Sequence, residues 1–355
     1  DALAGVFIGL PAGLLADRFG LKRTLTVVCL IAGIFSALRG FSSGFTMLVF
    51  SNFLFGLTSA IVPGIIPKTT AVWFERKRLG FTNALLNISL TGGGMIGTMF
   101  AATLLSPLLG GWRNVIFLLS VPAILIGLLW LFTGREPDKS ESPSNAVSTV
   151  PFRQAFSRVI RIKEVWAIGL VQITLWGSLM GFSGYLPYYL RDIGWTAVSA
   201  DSAMTVSNAA TLAGMIPMVF IANRLRSHKG ILILSMVSLG ASFAVLPFVQ
   251  GASVFAVLIL GGFLRSAAMP LCITLLVQFK GVGPTYSGTA MGLSSSLGML
   301  GPFLASPLGN SFSDISPGAP FLFWAGLAFS SLPLFLVIKD EAKEKEGFVK
   351  SPIET

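Results

Sequence analysis

Charged side chains are scarce in this sequence. Asp, Glu, Lys and Arg make up 11% of its 355 residues, whereas soluble domains carry about 25%. Histidine occurs once, as His228, and the two cysteines, Cys29 and Cys272, lie in apolar runs that suggest no disulfide framework. So few charges cannot cover a water-exposed surface of this size. The composition therefore excludes an ordinary soluble enzyme, a disordered chain and a nucleic-acid-binding protein.

The residue patterns that carry catalytic chemistry are also missing. The sequence contains no HExxH metal motif, no phosphate-binding Gly-Lys-Ser/Thr loop and no Ser, His, Asp set. We therefore expect neither a membrane-embedded hydrolase nor an ATP-driven pump, and we expect no cofactor.

Long apolar runs dominate the chain, which is 53% hydrophobic with a mean hydropathy of +0.79. A helix needs about 20 apolar residues to cross a bilayer. By that measure the sequence predicts ten full spans and one partial span, and hence an all-α polytopic membrane protein. The spans are predicted near 1–16 (partial), 24–41, 45–67, 79–108, 113–133, 164–190, 200–222, 231–250, 252–279, 283–309 and 318–338.

The basic residues predict which side of the membrane each loop occupies. Among the 25 Lys and Arg residues, only Arg39, Arg113 and Arg191 fall in one set of alternate loops, and nearly all the others fall in the opposite set or in the tail. Cytoplasmic loops carry the excess of Lys and Arg. We predict a multi-pass protein of an inner or plasma membrane with a cytoplasmic C-terminus.

The longest polar stretch divides the predicted spans into two groups. It contains a Pro- and Ser-rich linker, followed by a basic segment with Phe152 and Phe156 on one face. We predict an amphipathic helix there that lies on the inner membrane surface; the alternative is a simple extension of the next span. The predicted domains are an N-terminal bundle at 1–133, this linker at 134–163, a C-terminal bundle at 164–338 and a tail at 339–355.

The two groups of spans repeat one another. LPAGLLADRFGLKR at 10–23 and IPMVFIANRLRSHK at 216–229 align Pro11 with Pro217 and Arg18 with Arg224. Parallel repeats of this kind occur in one large class of transporters. The span at 164–190 has no partner in the first half, so we expect one further helix before residue 1. The complete arrangement would be twelve spans, six plus six.

The segment GLLADRFGLKRTL at 13–25 resembles the loop signature between the second and third helices of the major facilitator superfamily. YLPYYLRDIGW at 185–195 is similar to the end of helix seven in its cyanate-permease-like and other anion-carrier members. The resemblance implies the major facilitator fold: two pseudo-symmetric six-helix bundles, here with the first helix missing and eleven spans present. It also implies a cytoplasmic gate, although the basic residues could instead only anchor topology. The matching residues are Gly13, Asp17, Arg18, Gly20, Lys22 and Arg23.

Two departures from the family pattern disfavour multidrug export. Asn52 stands where many proton-coupled members carry an arginine, and Thr98 follows Gly97 where the drug-antiporter signature requires proline.

Arg265 is the most informative single residue, because it lies near the middle of the predicted span 252–279. An unpaired charge at that depth costs at least about 2.5–3.5 kcal/mol. The 15 acidic residues lie in loops, tails or span ends, so no intramembrane carboxylate compensates it. An anionic substrate would compensate this charge, because a guanidinium pairs well with carboxylate-like oxygens. The alternatives are helix carbonyls or a carboxylate on the missing helix.

Other residues are candidate substrate contacts, and each also has a structural interpretation as interhelical hydrogen bonding, packing or an aromatic belt. We expect a monomeric carrier that moves a small anion across the bilayer by alternating access, with the coupling ion left open. The alternatives are a drug or neutral-solute exporter and a non-transporting membrane sensor. The candidate contacts are Asn87, Gln172, Trp176, Tyr185 and Asn208.

Overall fold

The computed structural model describes residues 19–59, 61–62, 89, 92–94, 97, 100–134, 152–279 and 281–338. Within these ranges every regular element is helical. The chain separates into two compact units, Asp1–Thr149 and Val150–Thr355. The predicted partial span 1–16, most of the predicted span 79–108 and the predicted tail lie outside the described residues.

The first unit contains two long helices that pack tightly together and a shorter one. Gly33 and Gly127 allow this packing because they have no side chain. A Cβ atom on Gly127 would lie 2.9 Å from the Leu30 side chain. Small residues at such crossings let membrane helices approach closely. The longer described helices are α1 (Leu21–Gly40), α2 (Phe45–Ser59) and α3 (Trp112–Thr133), and a π-helical turn (Ala101–Leu105) and one α-helical turn (Ser106–Leu108) precede α3.

The second unit is built around one 30-residue helix, α5, most of whose length is buried. Three short 3₁₀ segments are also present, Leu246–Phe248, Phe312–Asp314 and Leu332–Leu336. The α-helices are α4 (Phe152–Val159), α5 (Lys163–Asp192), α6 (Ala197–Arg224), α7 (His228–Val245), α8 (Ala252–Arg265), α9 (Ala268–Gln278), α10 (Gly283–Gly298), α11 (Leu300–Ser311) and α12 (Ala319–Phe329).

Seven segments of the described residues are long and apolar enough to cross a membrane. Large apolar side chains on their surfaces point away from the protein: on α3, Leu125, Leu129 and Phe132 are all exposed. Exposed apolar surface of this extent marks contact with lipid or another partner. This arrangement is that of the predicted all-α polytopic protein.

Two spans that the sequence predicts as continuous are interrupted. The predicted span 252–279 breaks at Ser266, between α8 and α9, and the predicted span 283–309 breaks at Met299, between α10 and α11. Pro270 follows Ser266 by four residues, and Pro302 follows Gly298 by four. A proline lacks the N–H that would bond the carbonyl four residues earlier, and its ring clashes with that carbonyl, which favours a break at these two positions. Proline alone does not end a helix here, because α5 continues through Pro187 and α11 through Pro307.

The predicted amphipathic segment forms a separate helix, α4, and is not a simple extension of α5. Ile162 has an extended ψ of 108°, which separates the two helices. Ala155 and Val159 are buried, and Phe156 packs against the core of the second unit. At least part of the apolar face of α4 therefore packs on protein. Its placement on the inner membrane surface stays a prediction.

The contact of α5 with α10 and α11 depends on glycines. A Cβ atom on Gly301 would lie 2.8 Å from the backbone nitrogen of Gly177, closer than real Cβ contacts permit. The indole of Trp324 lies against Gly181 and Gly309, and its N–H donates to the Ala305 carbonyl at 3.2 Å. The helices α5 and α11 are therefore closely packed, and the large side chain of Trp324 lies against both of them.

Gly301→Val should destabilise the second unit by about 1–3 kcal/mol or more, because overpacking forces the α5 and α11 backbones apart. Gly288→Val is the matched control, since a Cβ atom at Gly288 meets nothing within 4 Å. Thermal unfolding of the purified protein in detergent measures both. Equal melting temperatures for the two variants would contradict the close contact.

Candidate functional site

Arg265 lies at the centre of a membrane span. Ala252–Gln278 forms one candidate span of 27 residues, and Arg265 is the last residue of α8 within it. It is equally far from both ends of that span, about 20 Å at 1.5 Å per helical residue. A side chain at that depth cannot reach either membrane surface.

The break after Arg265 and the crossing of α8 with α6 set the position of its side chain. A Cβ atom on Gly262 would lie 2.7 Å from the Ser207 carbonyl oxygen, so glycine is required for the two backbones to come this close. On the other side, the Ser235 hydroxyl of α7 donates to the Leu264 carbonyl at 3.0 Å. These two contacts hold the last turn of α8 against α6 and α7.

The guanidinium of Arg265 has one hydrogen bond within the described residues. Its Nη2 donates to the Ser207 hydroxyl over 3.3 Å, which is long for such a bond. Ser207 is 2% exposed, and Arg265 itself is half-buried. No carboxylate of the described chain lies within 4.0 Å of it. Among the residues that the structure describes, most of the donors of this guanidinium therefore have no partner.

A buried carboxylate does occur in the second unit, but it is paired with an arginine other than Arg265. Asp201, in the second turn of α6, accepts from Nη2 of Arg191 at 2.6 Å. Asp201 is buried, and its second oxygen, Oδ2, has no hydrogen-bond partner in the described structure. The ion pair joins the end of α5 to the start of α6, in agreement with the expectation that acidic residues lie near span ends.

Gln172 and Trp176 lie at a different helix contact, where α5 meets the end of α10. A Cβ atom on Gly298 would lie 3.2 Å from Gln172 Oε1 and 3.3 Å from Trp176 Cδ1. Gln172 is 1% exposed, and neither atom of its amide has a hydrogen-bond partner in the described residues. A buried amide without partners costs about 1–3 kcal/mol. The buried amide of Gln172 would therefore be stabilised by a hydrogen-bond partner that the described residues do not supply.

Tyr185 lies within an aromatic cluster. Its hydroxyl donates to the Pro317 carbonyl at 3.0 Å, and its ring contacts Tyr189, Phe321 and Trp324 with centroids 5.6–6.3 Å apart. The phenol thus has a structural role here, and its role as a substrate contact stays a prediction.

The two predicted asparagine contacts differ in what can be described. Asn208 is half-buried on α6 and directly follows Ser207, the partner of Arg265. Asn87 lies outside the described residues. The structure therefore brings the helix of Asn208 to Arg265, and it places Gln172 and Trp176 on another contact.

Part of the predicted gate is described. Gly20 precedes α1 with φ 85°, a conformation that favours glycine, and its carbonyl accepts from the Thr24 hydroxyl at 2.7 Å. Lys22 is half-buried and Arg23 is exposed on the first turn of α1. The other matching residues, Gly13, Asp17 and Arg18, lie outside the described residues.

Two features escaped the sequence analysis. Ser207 was not among the predicted contacts, although the glycine pair before Arg265 signals a close helix crossing there. Arg39, assigned to an outer loop, belongs to the last turn of α1, where it donates to Ser36 at 2.9 Å and Asn52 at 3.3 Å and lies 4.0 Å from the Phe55 ring. Polar residues one turn apart on a helix end could have indicated this cluster.

Comparison with known proteins places this arrangement among membrane carriers. The chain is 26% identical over 392 residues to a probable nitrate/nitrite antiporter, NarK1, of Thermus thermophilus, covering 99% of this chain and 84% of that protein. It is 25% identical to the sialic acid transporter NanX of Escherichia coli, with 92% and 79% coverage. It is also 25% identical to the class B tetracycline resistance protein of Escherichia coli, with 94% and 83% coverage.

Solved structures support the same fold. The Escherichia coli fucose:proton symporter FucP superimposes with a TM-score of 0.66 at 16% identity, covering 95% of this chain and 89% of that one. The sequence profile of the Major Facilitator Superfamily matches residues 2–200 and 182–353. The predicted family, the all-α polytopic fold and the absence of enzymatic function are thereby confirmed, and this multi-pass integral membrane protein belongs to the Major Facilitator Superfamily.

Proposed function

We propose that the protein carries a small anionic solute across the membrane by alternating access, with Arg265 as the residue that attracts and binds the cargo. The observation that carries this proposal is the guanidinium at the centre of the span Ala252–Gln278, with one long hydrogen bond and no carboxylate near it among the described residues. A charge in that position needs compensation. A diffusible anion would supply this compensation, and its binding would give Arg265 a role in transport.

The surroundings of Arg265 suit a small ligand. Ser207 offers a hydroxyl, and Asn208 on the same helix offers an amide within one residue of it. Guanidinium groups bind planar oxyanions through two parallel N–H donors, and the single long bond to Ser207 leaves such a pair available. Carboxylates, nitrate-like ions and other small oxyanions fit this donor set.

The relatives favour the same class of cargo. Two of the compared proteins are named for nitrate, nitrite and sialic acid, all of which are anions at neutral pH. The tetracycline resistance protein supports the alternative of a drug or neutral-solute exporter. Asn52 and Thr98, which depart from the proton-coupled and drug-antiporter patterns, weigh against that alternative. A non-transporting sensor is the remaining alternative.

The remaining predicted residues have supporting roles in this proposal. Gln172, with an unpartnered buried amide, and Trp176 beside it are proposed to contact the cargo in a conformation in which α5 and α10 separate. Asn87 and Tyr185 stay predicted contacts. Gly13, Asp17, Arg18, Gly20, Lys22 and Arg23 are proposed to form the cytoplasmic gate.

Arg265→Gln should lower anion uptake about tenfold to a hundredfold, because a hydrogen bond to a charged group is worth about 1.5–3 kcal/mol. Uptake is measured in proteoliposomes of the full-length protein with a panel of small anions and neutral solutes. Lys163→Gln, which removes an exposed basic residue at the first position of α5 in the same unit, should leave uptake unchanged.

Three results would contradict the proposal. Anion uptake by Arg265→Gln at the wild-type rate would remove Arg265 from the site. Transport of neutral solutes in preference to anions, unaffected by the substitution, would favour the exporter. A protein that binds solutes and transports none would favour the sensor.

The gate assignment has its own test. Asp17→Asn should change the ratio of the two carrier conformers about two- to fivefold, since a carboxylate near a helix terminus contributes about 0.3–1 kcal/mol. The measurement is exchange and net uptake in proteoliposomes, with Asp138→Asn, in the predicted linker, as the matched loss of one carboxylate. Equal turnover in wild type and Asp17→Asn would show that the loop only anchors topology.

A further inference from the structure

A groove of about 760 Å³ lies beside α4 in the second unit. Its walls come from α4, from the turn that leads into α5 and from the start of α10. Its non-polar lining residues, Ile162 and Gly281, lie against each other: a Cβ atom on Gly281 would lie 3.0 Å from the Ile162 side chain. The polar side chains that line it are Arg153, Gln154, Ser157, Arg158, Arg161 and Tyr286.

The lining is strongly basic. Three arginines line the groove, and no Asp or Glu is among its described lining residues. All three arginines are exposed, so the groove is open to a ligand from outside. Arg158 lies 5.5 Å from the centroid of the Tyr286 ring, a cation–π contact that orients one guanidinium along the wall. Guanidinium groups suit the recognition of phosphate oxygens, so the chemistry of this lining favours a phosphate.

The groove is fixed to the protein core and is not a mobile surface helix. Val159 of α4 is fully buried, and Phe156 packs against the core cluster of the unit. The arginines therefore project from a helix that is packed against the core. Arg153 and Arg158 are separated by about one and a half turns of α4, and Arg161 lies in the turn that follows it. Pre-organised donors bind an anion at less entropic cost than flexible ones.

The groove also lies at the end of a membrane span. Arg161 is two residues before Lys163, where α5 begins, and α5 is an apolar helix long enough to cross the bilayer. Trp166, in the first turn of α5, is partly exposed, and its indole N–H donates to the Ile160 carbonyl at 2.8 Å. Tryptophan favours the headgroup level of a membrane. The arginines beside it are then level with lipid phosphates.

We propose that this groove binds the phosphate of an anionic phospholipid headgroup, and that α4 is thereby held at the membrane surface through a lipid. The chemistry is recognition of a phosphate ester by Arg153, Arg158 and Arg161, with Ser157, Gln154 and the Tyr286 hydroxyl available as further donors. The acyl chains would follow the exposed apolar surface at the start of α5. None of the residues that line the groove is among the proposed cargo contacts.

The test is native mass spectrometry of the full-length protein in a neutral detergent, titrated with phosphatidylglycerol or with phosphatidylcholine of the same acyl chains. The groove variant is Arg158→Gln with Arg161→Gln. The matched control is Arg224→Gln with Arg226→Gln, which removes two exposed arginines from the same predicted side of the membrane. Ser157→Glu, which adds a carboxylate to the groove, is a second variant that keeps every arginine.

Wild type should bind its first phosphatidylglycerol at least about tenfold more tightly than phosphatidylcholine. The groove variant should lose about tenfold or more of that affinity, since each basic residue near an anionic headgroup contributes about fivefold. Ser157→Glu should weaken binding in the same direction, and the control should retain wild-type affinity.

Equal affinity in wild type and both groove variants, or an equal loss in the control, would overturn the proposal. The last measurement adds inorganic phosphate, in about tenfold excess over the lipid, to the protein with phosphatidylglycerol bound. If it displaces phosphatidylglycerol completely, the groove belongs to a soluble phosphate compound and the lipid assignment fails. If phosphatidylglycerol stays bound, the lipid assignment stands.

Discussion

A guanidinium at the centre of a membrane span must find negative charge or polar atoms, because the hydrocarbon around the span offers neither. The features around Arg265 follow from where it sits. Pro270 favours the break after α8 at this point, and Gly262 lets α6 approach until the Ser207 hydroxyl reaches the side chain. The same small residues that permit close packing leave the charge only lightly paired. The close packing and the proposed binding of the cargo therefore depend on one sequence feature, a helix contact without bulky side chains beside a basic residue.

Much of the architecture could be predicted from the sequence, because run length and loop charge are strong signals in a membrane chain. The bounds of α3 and α5 lie within a few residues of the predicted spans 113–133 and 164–190. The breaks at Ser266 and Met299 fall close to Pro270 and Pro302, prolines that predict a possible kink but not that the helix ends. Hydropathy averages over a window, and it registers neither a missing backbone N–H nor the clash of a proline ring.

The site could be predicted less completely. Arg265 stands out because its depth follows from sequence position alone. Ser207 does not stand out, because a serine in a span is common and its pairing depends on how two helices cross. The buried, unpartnered amide of Gln172 likewise becomes visible only when its neighbours are in place. The groove beside α4 was foreseen as a basic face, but not as a cleft, since its far wall comes from Tyr286, more than a hundred residues later.

The central claim, that the charge of the cargo is what Arg265 binds, is tested most directly by equilibrium binding with transport left aside. Isothermal titration calorimetry of the purified full-length protein compares a small carboxylate with its uncharged amide of the same shape. The account predicts measurable binding of the carboxylate, none of the amide, and loss of the carboxylate signal when Arg265 is replaced by an uncharged residue. Equal affinity for acid and amide, whatever residue stands at position 265, would contradict it.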